Sequence, residues 1–114
     1  MRILCVGDVV GSAGCAHLRR VLPPIKRQYG VDVCIVNGEN SADGNGITPV
    51  SARHILDSGA DVVTGGNHTY RRHEFWPLLD EDPALLRPGN YPAGAPGRGL
   101  YMVDKGRYQV AVIN

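Results

Sequence analysis

Apolar positions in this chain switch between two patterns, short continuous runs and stripes repeating at helical spacing. Residues 2–7 form an apolar run that predicts a buried strand. Leu18, Val21, Leu22 and Ile25 then fall at i, i+3, i+4 and i+7, the stripe of an amphipathic helix. Pro23 and Pro24 interrupt that stripe, and an interior proline removes an intrahelical donor, so a kink or a stop and restart is expected near residue 22. Residues 32–37, rich in Val and Ile, predict a second strand. After the glycine-rich loop at 43–46, Thr48 is placed to cap a helix with Pro49 in its first turn, and Ala52, Ile55, Leu56 and Gly59 continue it. Residues 61–64 predict a third strand, 72–80 a short helix, and 87–99 a Pro/Gly-rich loop. The last two runs, 100–103 and 108–113, flank a hairpin turn at 104–107.

Strands alternating with helices imply right-handed βαβ units. The predicted fold is therefore α/β, a layered sandwich with a mostly parallel sheet flanked by helices, covered on both faces, and a late β-hairpin. Neither a repeat nor a linker divides the chain, so residues 1–114 read as one domain.

Composition narrows the classes of function. A formal net charge of +1 supplies neither the basic excess nor the basic stripe of a general nucleic-acid or membrane-surface binder. No window approaches the roughly 20 apolar residues of a membrane span, and the apolar start is too short for a signal peptide. Cys5, Cys15 and Cys34 are an odd, widely spaced set without a C-x-x-C, which argues against a disulfide framework or a zinc knuckle. A cytoplasmic location is the resulting expectation.

Four apolar runs end in a polar residue: Asp8 in G-D-V-V-G, Glu39 in V-N-G-E-N, His68 in G-G-N-H and Asn90 in R-P-G-N. Parallel strands deliver their carboxyl ends to one edge of the sheet, where ligands bind, so these residues should converge. The segment 7–14 lies where a dinucleotide fingerprint would lie, but its glycines are spaced four and three apart, and Asp8 would face the pyrophosphate. A P-loop lysine is also missing. A carboxylate there suits a divalent cation, with capping of the first helix near Ser12 as the local alternative. Glu39 can bridge two cations roughly 3.5 to 4 Å apart, and Asn40 can add a neutral oxygen; a solvated turn is the bland alternative. Asn67 offers an amide oxygen to a cation, and His68 an imidazole that can donate a proton or steady a developing charge. His17, His54 and His73 lie in helical stretches and read as surface residues.

These motifs, with S-G-A-D preceding G-N-H and R-P-x-N-x-P following it, resemble the bacterial calcineurin-like metallophosphoesterases of the YmdB family, in order from Arg2 to Asn114. The resemblance implies the amino-terminal half of a metallophosphoesterase fold and hydrolysis of phosphodiesters, including 2',3'-cyclic nucleotides. It implies two divalent metal ions, iron or manganese, with an attacking hydroxide between them. Residue by residue it makes Asp8 a ligand of one metal, Glu39 the bridging ligand, Asn67 a ligand of the other and Asn40 a further site residue, with His68 acting on the leaving group. Two features depart from the wider pattern. Asp8-Val9-Val10 replaces the D-x-H of the broad superfamily, and Tyr70 stands where the family more usually has Trp. The G-T-H-T-H motif of the family's second half is not present, so these residues would supply about half of a site and little activity by themselves.

Arg87 and Asn90 are candidates for contacting a small phosphodiester or nucleotide, against the simpler reading of a turn fixed by Pro88 and Gly89. Arg71, Arg72 and His73 read as a solvated basic turn. A non-catalytic α/β module that binds a nucleotide or a protein remains the competing class, since such folds host many functions. The end of the chain at 108–114 can present a sheet edge to another chain, which leaves a homo-oligomer open.

Overall fold

The computed structural model describes residues 1–114. Four strands, β1 (Ile3–Val6), β2 (Val33–Asn37), β3 (Val62–Thr64) and β4 (Leu85–Leu86), form one parallel sheet in the order β1-β2-β3-β4. The helices α1 (Gly11–Tyr29), α2 (Pro49–Asp57) and α3 (Trp76–Glu81) fall between them, and a single 3-10 turn at His73–Phe75 leads into α3. Strands β5 (Leu100–Asp104) and β6 (Gln109–Ile113) pair antiparallel as a separate two-stranded sheet.

Alternation along the strands sorts the core into two layers. Cys34, Val36, Val63 and Leu85 pack with Leu18 and Leu22 of α1 and Ile55 of α2. Their neighbours Val33, Val62 and Leu86 point the other way and pack with Val103, Val110 and Val112 of the hairpin. Helices therefore cover one face and the hairpin the second, so the sheet is covered on both faces as expected. The hairpin's own alternation allows this, because Val110 and Val112 are buried while Gln109, Ala111 and Ile113 are exposed.

Helix α1 runs unbroken through Pro23 and Pro24, contrary to the expected break. The two missing N–H groups would have served the carbonyls of Arg19 and Arg20 one turn earlier. Both residues lie on the exposed side, where water can serve those carbonyls, while Leu18 and Leu22 stay buried below. The helix ends at Gly30, whose φ of 59° is the left-handed cap that returns its N–H to the carbonyls of Lys26 and Arg27. Helix α2 begins as predicted. Thr48 accepts from the Ser51 N–H, the Ser51 side chain accepts from the Thr48 N–H, and Pro49 sits in the first turn.

At the amino ends of β2 and β3, Asp61 links three elements. Its carboxylate accepts from the Cys34 N–H at 2.8 Å and from Lys105 Nζ of the hairpin turn at 2.5 Å, with Lys26 Nζ of α1 at 3.6 Å.

Candidate active site

The four parallel strands send Asp8, Glu39-Asn40, Asn67-His68 and Arg87 to the same edge. Backbone bonds extend the pairing past the strand ends and hold these loops in place. Val9 N donates to Asn37 O at 3.1 Å, Gly11 N to Asn40 O at 2.9 Å, Gly38 N to Thr64 O at 3.0 Å and Gly65 N to Leu86 O at 2.8 Å.

Four of the expected residues meet directly. Asn40 Nδ2 donates to Asp8 Oδ1 at 3.0 Å, and Asn40 Oδ1 lies 2.6 Å from His68 Nδ1. Glu39 Oε2 accepts from the His68 backbone N–H at 2.9 Å and stands 4.0 Å from His68 Nδ1. Asn67, between Gly66 and His68, keeps its side chain exposed. Asn40 Oδ1, expected to add a neutral oxygen to a cation, faces His68 Nδ1 and keeps a second lone pair.

Gly66 leaves room for the Glu39 carboxylate, which a Cβ there would push aside. The turn that carries it is fixed by Thr69, whose hydroxyl accepts from Gly66 N at 2.9 Å and donates to Gly66 O at 2.7 Å. Asn37 and Asn114 both donate to the Gly65 carbonyl, at 3.4 and 3.2 Å. Sequence reasoning passed over these three supports. The signal for Thr69 was its place three residues after Gly66, a spacing that suits a side chain closing a turn.

Asp8 does not cap α1. The residue preceding that helix is Val10, and it is Asp43 Oδ1 that accepts the Ser12 N–H at 2.8 Å. Arg87, a candidate for contacting substrate, is 7% exposed and donates from one Nη to Pro88 O at 3.0 Å, bracing its own loop, while its Nε has no partner. Asn90 stays exposed on that loop. Arg72 is spent on the carbonyls of Asp43 and Asn45 at 2.7 and 3.1 Å. Tyr70 donates to Pro96 O at 2.6 Å and packs edge-on against Trp76 and Tyr91. Burial raises its pKa, an effect partly offset by Arg87. His54, expected at the surface, instead buries Nε2 without a partner. Cys34 is pushed up to about 11 by burial, which holds it as the unreactive thiol.

The donor set suits a hard cation in kind. Asp8 and Glu39 are carboxylates and Asn67 an amide, the oxygen ligands that such ions take. The Glu39 side chain is 16% exposed, and its carboxylate has no lysine or arginine partner. A half-buried carboxylate in that condition gains from a bound cation. In number the set falls short. No cluster of three His, Cys, Asp or Glu side chains is placed to hold a metal.

Known proteins place the same residues in a wider context. Over its full length the chain is 43% identical to the 2',3'-cyclic-nucleotide 2'-phosphodiesterase of Bacillus subtilis (strain 168), of which it covers 43%. It superposes on the crystal structure of a hypothetical protein from Thermus thermophilus with a TM-score of 0.90 and 37% identity, over 99% of this chain and 44% of that one. A crystal structure of a novel phosphatase from Mycoplasma pneumoniae matches with a TM-score of 0.88 and 26% identity, over 98% of this chain and 41% of that one. The chain thus spans less than half the length of the relatives it matches. Residues 4–114 match the family described as YmdB-like protein, and the chain belongs to that family.

Proposed function

We propose that this chain forms part of a metal-dependent phosphodiesterase acting on small phosphodiesters such as 2',3'-cyclic nucleotides. The observation that carries the reading is the junction of Asp8, Glu39, Asn40 and His68 at the carboxyl edge of the sheet. The name of the Bacillus relative supports the reaction class. Asp8, Glu39 and Asn67 would hold divalent cations, iron or manganese, with Glu39 shared between them. Such cations lower the pKa of a bound water toward about 7 and neutralise charge on the phosphoryl group.

The chain's own groups perform the rest. Asn40 holds His68 at Nδ1, and no protein group bonds Nε2. As an imidazolium, His68 passes its Nε2 proton to the departing oxygen and becomes the neutral Nδ1–H form, which Asn40 already accommodates. Nothing on the Nδ1 side has to move during that transfer, the kind of preorganisation that makes general acids effective.

The test compares this chain with the same residues extended to the length of the relatives, using bis(p-nitrophenyl) phosphate and 2',3'-cyclic AMP with manganese. The extended protein should turn both over, this chain should do so only weakly, and Glu39→Gln should lower the extended protein's rate by about 100-fold or more. Unimpaired turnover by Glu39→Gln would sink the two-cation reading and favour a binding module.

A further inference from the structure

We infer that the exposed face of α1 is a binding track for single-stranded RNA, an inference that rests on the proposed cyclic phosphodiester chemistry for the choice of partner. The net charge of +1 conceals how charge is distributed along the chain. Between Asp8 and Asp32 stand four basic residues, Arg19, Arg20, Lys26 and Arg27, and no acid, so the remainder is net acidic. Contrary to the expectation drawn from overall charge, one helix carries a basic stripe. Arg20 and Arg27 lie seven residues apart, on one line of the helix that faces away from buried Leu18 and Leu22. Both are exposed, as is Arg19, and none of the three pairs with a carboxylate. Lys26, by contrast, is spent on Gly59 O and Asp61.

A second observation selects the partner. Pro23 and Pro24 remove the intrahelical donors of the Arg19 and Arg20 carbonyls, which leaves backbone acceptors on the residues that carry two of the guanidinium groups. A strand of RNA presents the complement, phosphates that pair with arginine and 2'-hydroxyls that donate to a carbonyl. DNA and a phospholipid surface supply the phosphates without the 2'-hydroxyl. The course of α1 agrees. It starts at Gly11, three residues after Asp8, and carries Arg20 and Arg27 roughly 14 and 24 Å from that start, at about 1.5 Å per residue. A 2',3'-cyclic phosphodiester forms when a ribose 2'-hydroxyl attacks the adjacent phosphorus and expels the 5'-oxygen of the next nucleotide. RNA cleavage of that class leaves the cyclic group at the 3' end of a strand. With that end at the carboxyl edge of the sheet, the preceding nucleotides run along α1 past Arg20 to Arg27.

The experiment measures the fluorescence anisotropy of a short 5'-labelled single strand mixed with this chain, as RNA and as DNA of matching sequence, over a range of salt. RNA should bind more tightly than DNA. Arg20→Ala with Arg27→Ala should weaken both about tenfold or more and flatten the log–log salt dependence by about 0.7 for each lost phosphate contact. Pro23→Ala with Pro24→Ala returns both donors to the helix, so it should remove the preference for RNA and leave DNA affinity unchanged. Arg107→Ala, in the hairpin turn, should change neither. Equal affinity of wild type for RNA and DNA, or a preference for RNA that survives the proline changes, overturns the inference. An equal loss from Arg107→Ala, or tighter capture by phosphatidylserine vesicles than by RNA, overturns it as well. The proposed function is tested apart from it: RNA binding beside an extended protein that leaves 2',3'-cyclic AMP intact overturns that reading alone, and turnover without RNA binding overturns only the track.

Discussion

Glu39 and Gly66 act as one unit at the residue scale, because the carboxylate rests where a side chain at position 66 would begin. Gly66→Ala should therefore displace the Glu39 carboxylate, costing at most about 1 kcal/mol of stability because that group is the free end of a flexible side chain, and weakening cation binding in the extended protein. Urea unfolding and manganese titration check both effects, and a variant with native stability and affinity would contradict the packing argument. The convergence of Asp8, Glu39 and His68 was legible in the sequence because strand-end positions meet at one edge of any parallel sheet. Side-chain pairing was not. Nothing in the order of residues says that Asn40 turns its oxygen to His68, or that Arg87 is buried and donates to Pro88 O, since these depend on how loops cross. Asp43 as the cap of α1 was hidden for the same reason, lying 31 residues from Ser12.

Among the elements, the clearest dependency is Asp61, which ties α1, β2 and the hairpin turn together. Burial alone would raise its pKa. The hydrogen bonds from Lys105 and the Cys34 N–H, with the charges of Lys26 and Lys105, outweigh burial and lower it. A carboxylate depressed in the folded state contributes stability that is fully present above its unfolded value of about 3.9 and is lost as pH falls through the folded value. Asp61→Asn should thus cost about 1–3 kcal/mol near neutral pH, and the gap to wild type should close below about pH 4. Urea unfolding across that range decides it, and a gap that stays constant with pH would show that the lysines add nothing. Periodicity predicted the helices and the hairpin well because each buries a single stripe or face. It could not predict which layer covers which side of the sheet, and α1 tolerates Pro23 and Pro24 because buried Leu18 and Leu22 hold the helix on the sheet.

Taken whole, the molecule leaves β1 with a single neighbour at one edge of the parallel sheet. The run at residues 2–7 reads as a buried strand, yet Ile3 is 44% exposed and Cys5 is also exposed. A strand's own pattern records how apolar it is, not which chain covers it. Beside this edge lies an apolar groove of about 290 Å³ that includes Leu4, Val6, Val21 and Ile25 and reaches Asp8. The uncovered flank and the under-supplied site thus lie on the same side of the molecule. If the site takes two cations as proposed, with four to six ligands each, it would need more donors than two carboxylates, two amides and an imidazole provide. Elemental analysis after manganese loading and gel filtration should therefore find well under one metal per 114-residue chain, against close to two in a protein extended to the length of its relatives. Two metals on the short chain would mean that the remaining donors come from a second copy. That outcome requires the metal-bearing fraction to elute as a dimer, so the same column run separates a completed site from a partial one.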